Sequence, residues 1–85
     1  MVNEMQQTRD EKIALILAKH DPIDIAVDHE DRIAYGPEAC DIETQWHDYN
    51  DKIELIEDVF IFWFNEVIDG AVVNQIIEDI KPLFA

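Results

Sequence analysis

The sequence predicts an all-α fold, a small bundle of about four helices with a long ordered loop after the first helix. Three observations predict it. Apolar residues recur with helical period in four separate stretches. Capping or helix-breaking residues bound those stretches. The one segment that alternates like a strand, Ile23, Ile25 and Val27 against Asp24, Ala26 and Asp28, has no second strand to pair with. With 85 residues, 48% of them hydrophobic, the chain makes one ordered domain over 1–85, with residues 1–7 expected as a frayed tail.

The first helix opens on a capping box, Thr8 with Glu11, although Asn3 with Gln6 offers an earlier start. Ile13, Ile16, Leu17 and His20 fall on one face. Pro22 disfavours helical geometry at Asp21, so the helix stops near Lys19 or His20. A lone extended segment follows, with one short helical turn expected in "DHEDRIAYG". Pro37 suits the first turn of a second helix, whose stripe is Ala39, Ile42, Trp46 and Tyr49. Asn50 or Asp51 caps the third helix, expected to run to about Asp69 and stop at Gly70. The fourth buries Val72, Val73, Ile76, Ile77 and Ile80, and Pro82 ends it.

The third helix contains the run "VFIFWF". Helical spacing puts Ile53, Leu55, Ile56, Val59, Phe60, Trp63, Phe64 and Val67 on its apolar half. Ile61, Phe62 and Ile68 fall on or beside the polar side. Either this helix is central and touches neighbours on most sides, or it offers apolar surface to another chain. The second possibility predicts a two-fold homodimer through Ile61, Phe62 and Ile68.

Charge narrows the partners. Twenty acidic residues face six basic ones, for a net charge of −14. The segment from Asp21 to Asp58 holds thirteen acidic residues and two basic ones, Arg32 and Lys52, and so carries −11 of the total. Nucleic acid and anionic membranes are repelled, so neither is expected as a partner. A basic protein partner is compatible, with Asp24, Asp28, Glu30 and Asp31 as candidate contacts. The plainer reading of those charges is solubility. "MVNEMQQTRDEK" lacks the order of a signal peptide, no apolar run approaches the roughly 20 residues of a membrane span, and the single Cys40 fits a reducing compartment. The expected location is the cytoplasm.

Candidate chemistry is sparse. Cys40, Glu43 and His47 stand at i, i+3 and i+7, and all three residue types bind transition metals. A fourth ligand would have to be His20 or His29. Cys40 and His47 are two turns apart, about 10 Å, too far for a nucleophile and its base. The preferred reading is a structural Cys40, partly buried beside the stripe. The acidic run from Asp21 to Asp31 lacks the glycine and the ligand order of a calcium loop. No phosphate-binding loop or nucleophile elbow is present, so no cofactor and no catalysis are expected.

"HDPIDI" at the end of the first helix and "AYGPEACDI" at the start of the second resemble a family of small bacterial proteins of unknown function. Its members carry Trp-Asp-Pro-Ile-Gly, a loop and Tyr-x-x-Glu. Asp21, Pro22, Ile23, Tyr35 and Glu38 match, over a span of roughly Lys12 to Lys81. His20 replaces the Trp, Asp24 the Gly, and Ile33 and Ala34 an acidic pair. The resemblance implies a small all-α fold and no known activity. On physical grounds Asp21 turns the chain by accepting downstream N–H groups, and Tyr35 packs beneath the loop with its hydroxyl reaching the surface.

Three functions follow in order of preference. The first is a small acidic protein-interaction module without catalysis. The second is a metal-dependent or thiol enzyme built on Cys40, Glu43 and His47. The third is a self-associating structural protein.

Overall fold

The capping box opens the first helix as the sequence predicts. The Thr8 hydroxyl accepts the Glu11 N–H at 3.4 Å, and the Glu11 carboxylate accepts the Thr8 N–H at 3.0 Å. The computed structural model describes residues 8–28 and 33–84. Among them are α1 (Arg9–His20), α2 (Gly36–Gln45), α3 (Lys52–Phe64) and α4 (Gly70–Ile80), with 3₁₀ turns at Trp46–Asp48 and Lys81–Phe84. The described residues contain no strand. The protein is an all-α bundle of four helices. The expected tail lies outside the described residues, as do residues 29–32 of the stretch 28–36 in which a short helical turn was expected; the chain turns at 33–35.

α1 ends because Asp21 adopts a left-handed conformation, φ 45°, from which its N–H reaches the Leu17 carbonyl at 2.7 Å. Asp21 then organises the connector to α2. Its Oδ1 accepts the N–H groups of Ile25 at 2.9 Å and Ala26 at 3.0 Å, and the Tyr35 hydroxyl at 2.7 Å. The Tyr35 hydroxyl also accepts the Ile23 N–H at 3.4 Å. Tyr35 is wholly buried, with its ring 6.0 Å from Phe60 and 6.4 Å from Phe64. Its hydroxyl therefore does not reach the surface as expected. Asp21 offers the phenol an acceptor inside the fold, which removes the need for water.

α2 begins with Pro37 in its first turn and buries Ala39 and Ile42, with Trp46 beyond its end. Asp51 caps α3 by accepting the N–H groups of Ile53 and Glu54. α3 stops at Phe64, five residues before the expected end. Asn65 takes the left-handed cap position, φ 54°, and donates its N–H to Ile61 at 2.9 Å. Asparagine tolerates that conformation better than most residues, a signal not used in the sequence reading because the apolar period continues past it. Gly70 is not a stop but the first residue of α4, capped by Asp69, whose carboxylate accepts the Ala71 N–H at 2.7 Å.

The early stop relocates Ile68. On a longer helix it would face solvent; on the extended link it turns inward and is only 6% exposed. α4 buries Val73, Ile76, Ile77 and Ile80, with Val72 half-buried. The helices pack in a ring, α1 on α2, α2 on α3, α3 on α4 and α4 on α1. α3 is therefore not the central helix. It has two main neighbours and an open outer side.

Candidate functional site

α3 buries Leu55, Ile56, Val59 and Phe60, one narrow stripe. Ile53, Trp63 and Val67, assigned by spacing to the apolar half, are exposed, as are Ile61 and Phe62. Phe62 is 76% exposed and makes a T-shaped contact with the Trp63 ring, 5.4 Å between centroids. This is an outward apolar ridge on an otherwise acidic protein. Of the three α3 residues expected at a contact, Ile61 and Phe62 lie on the ridge. Ile68 does not, because its side chain belongs to the core.

Beside the ridge runs a groove of about 280 Å³ between α2 and α3, lined by Asp41, Gln45, Tyr49, Asp58, Val59 and Phe62. Its carboxylates are held in place by neutral donors. Trp63 Nε1 donates to Asp41 Oδ2 at 2.7 Å, and the Tyr49 hydroxyl donates to Asp58 Oδ2 at 2.9 Å. The bond to Asp58, above all, pushes the Tyr49 phenol above its ordinary range, since ionising it would set two anions side by side. Neither Asp41 nor Asp58 has an ion-pair partner among the described residues. In other clefts the described carboxylates have cationic neighbours. Between α1 and α4, Asp79 sits 2.8 Å from His20 and 3.7 Å from Lys19. Sequence reading missed the groove. The spacings were visible, Asp41, Gln45 and Tyr49 on one helix and its extension, Asp58 and Phe62 on the other, but not which faces meet.

Cys40, Glu43 and His47 do not converge. Cys40 is exposed, against the expectation of partial burial, because the stripe that turns inward is Ala39–Ile42–Trp46. Glu43 points towards Arg9, 4.0 Å away, and the His47 ring meets the edge of Phe84. Among the described residues no three side chains of His, Cys, Asp and Glu are placed to hold a metal. Asp24 and Asp28 are exposed on the connector, whereas Glu30 and Asp31 lie outside the described residues.

One buried carboxyl stands apart. Glu38, in the first turn of α2, is 3% exposed, and its Oε1 has no hydrogen-bond partner. Loss of hydration raises its pKa above the ordinary 4.5, and Asp41 nearby adds to the effect.

Comparison with family models, characterised proteins and solved structures finds no match. No helix among the described residues is long and apolar enough to cross a membrane.

Proposed function

We propose that this protein is an acidic protein-interaction module of the cytoplasm, which binds a basic partner protein through the outer side of α3 and works without catalysis. The observation that carries the reading is the exposed ridge of Ile61, Phe62 and Trp63 beside carboxylates that no cation among the described residues pairs with. Apolar side chains left in water favour a contact, and a net charge of −14 selects its sign. Asp24 and Asp28 on the connector add to the same field.

The test is capture from native cytoplasm, followed by reconstitution with the purified partner. Binding should be saturable and weaken several-fold as salt shortens the screening length below about 8–10 Å. Ile61→Glu should weaken it at least tenfold, because burying an isoleucine is worth roughly 1.5–3 kcal/mol and a tenfold change is about 1.4. A partner that binds Ile61→Glu as well as the parent ends the reading.

A two-fold homodimer is the alternative occupant of this face. It would set Asp41 and Asp58 of both copies at one contact, and the burial of Ile68 removes a third of its expected apolar contribution. Sedimentation across a concentration and salt series decides it. Association that strengthens with salt and is lost in Ile61→Glu would favour the dimer.

A further inference from the structure

We propose that the α2–α3 groove is the subsite for an arginine side chain, presented by the partner on an apolar segment that lies along the Ile61–Phe62–Trp63 ridge. This rests on the protein-interaction reading and names the chemistry the face recognises.

Size is the first argument. Small-ligand pockets enclose roughly 300–1,000 Å³ and bury most of their ligand. A groove of about 280 Å³ suits one long side chain better than a cofactor.

Charge is the second. Two carboxylates line the groove and, among the described residues, no cation does. Each aspartate has one oxygen engaged by a neutral donor, Trp63 Nε1 or the Tyr49 hydroxyl, so the carboxylates are oriented while no cation among the described residues pairs with them. Gln45 also lines the groove, and its side-chain amide carries a carbonyl acceptor.

The nature of the walls selects arginine over lysine. Val59 is buried at the groove and the Phe62 ring stands open above it. A guanidinium is planar and weakly hydrated, stacks on aromatic rings and carries five donors for several acceptors. An ammonium is strongly hydrated and loses more on entering an apolar cleft.

The apolar ridge next to the groove commits the arginine to a partner protein rather than to the free amino acid. Flanking aliphatic residues of the partner would cover Ile61 and Trp63.

The test uses isotope-labelled protein and the peptide Ac-Leu-Arg-Leu-amide. The Trp63 indole N–H and the Gln45 amide signals should shift saturably. The citrulline peptide, isosteric but uncharged, should bind at least tenfold more weakly, and the lysine peptide several-fold more weakly. Asp41→Asn with Asp58→Asn should abolish the preference for arginine over citrulline. Asp58→Asn alone, at an exposed position, should reduce it and guards against misfolding of the double variant. Equal binding of arginine and citrulline peptides overturns the proposal. So does free arginine binding as tightly as the peptide, which would make this a small-molecule site. A Trp63 signal that moves with protein concentration before peptide is added also overturns it, since a second copy then covers the groove. The two readings separate cleanly on the reconstituted partner. If Ile61→Glu releases it and the double aspartate variant keeps it, the interaction module stands and the arginine subsite falls. If neither variant weakens binding, both fall.

Discussion

The molecule's two tyrosines each donate to an aspartate, and the two pairs do opposite things. Tyr35 donates to Asp21 at 2.7 Å from inside the core, while Tyr49 donates to Asp58 at 2.9 Å on an exposed groove. The bonds are alike in chemistry and length. What differs is the medium. At Asp21 the same carboxylate oxygen also ties down two backbone N–H groups, and water is excluded on the Tyr35 side. At Asp58 water competes, and the bond fixes the direction of a side chain more than it holds the fold. One pair therefore builds the connector, and the other shapes a surface.

The sharpest way to break this contrast is at Asp21. Asp21→Ala removes the acceptor of three hydrogen bonds and strains a left-handed cap, so it should cost about 3 kcal/mol. For a domain of this size that lowers the thermal midpoint by more than about 10 °C. Asp21→Asn keeps an acceptor oxygen and tolerates the backbone, and should lose much less. Equal losses in calorimetry would refute the role of the carboxylate.

Next in size is Tyr35→Phe, expected to cost about 1.5 kcal/mol in urea unfolding, because a charged acceptor inside the fold loses one donor but keeps two. The pH dependence sharpens the point. Burial first, and the Asp21 bond second, raise the Tyr35 pKa above its ordinary 10.0. The folded state thus holds this proton more tightly than the unfolded chain. Its contribution is full below pH 10 and is lost as pH climbs beyond it. A spectrophotometric titration should show Tyr49 ionising reversibly above its ordinary range, whereas Tyr35 ionises only with unfolding. Two reversible steps in a folded protein would erase the difference between the pairs.

A smaller effect is expected at Glu38, a buried carboxyl that lacks what Asp21 has. Its raised pKa means that the folded state keeps a proton the unfolded chain releases near 4.5. Stability therefore falls as pH rises from about that value through the folded pKa. Glu38→Gln should raise the midpoint at pH 7 by less than Tyr35→Phe lowers it, and should flatten the fall that sets in above about pH 4.5. An unchanged slope in a pH series of urea melts would count against burial as the cause.

The smallest expected effect on stability is Tyr49→Phe, with no measurable change in urea midpoint. Its consequence belongs to the groove, where Asp58 loses the donor that orients it and the preference for the arginine peptide should narrow. A clear loss of stability would place Tyr49 with Tyr35 after all.

Much of this fold was legible in the sequence because its signals are local. Thr8 with Glu11, Asp21 before Pro22, Pro37 and Asp51 act within one turn of where they stand, through backbone donors that need caps. The stripes Ile13–Leu17, Ala39–Ile42–Trp46 and Val73–Ile76–Ile77–Ile80 follow from helical period alone. The net charge is a property of composition. Tertiary structure decided the rest. Whether α3 ends at Asn65 or at Gly70 was a choice between two residues that both suit a helix end, and the packing of Ile68 into the core goes with the earlier one. Whether Ile53 and Trp63 are buried depends on how many helices surround α3, which periodicity does not count. The groove exists only because the Asp41 face of α2 meets the Asp58 face of α3. A sequence states which side chains share a helix face; only the closed ring of helices determines which faces meet and which remain in water.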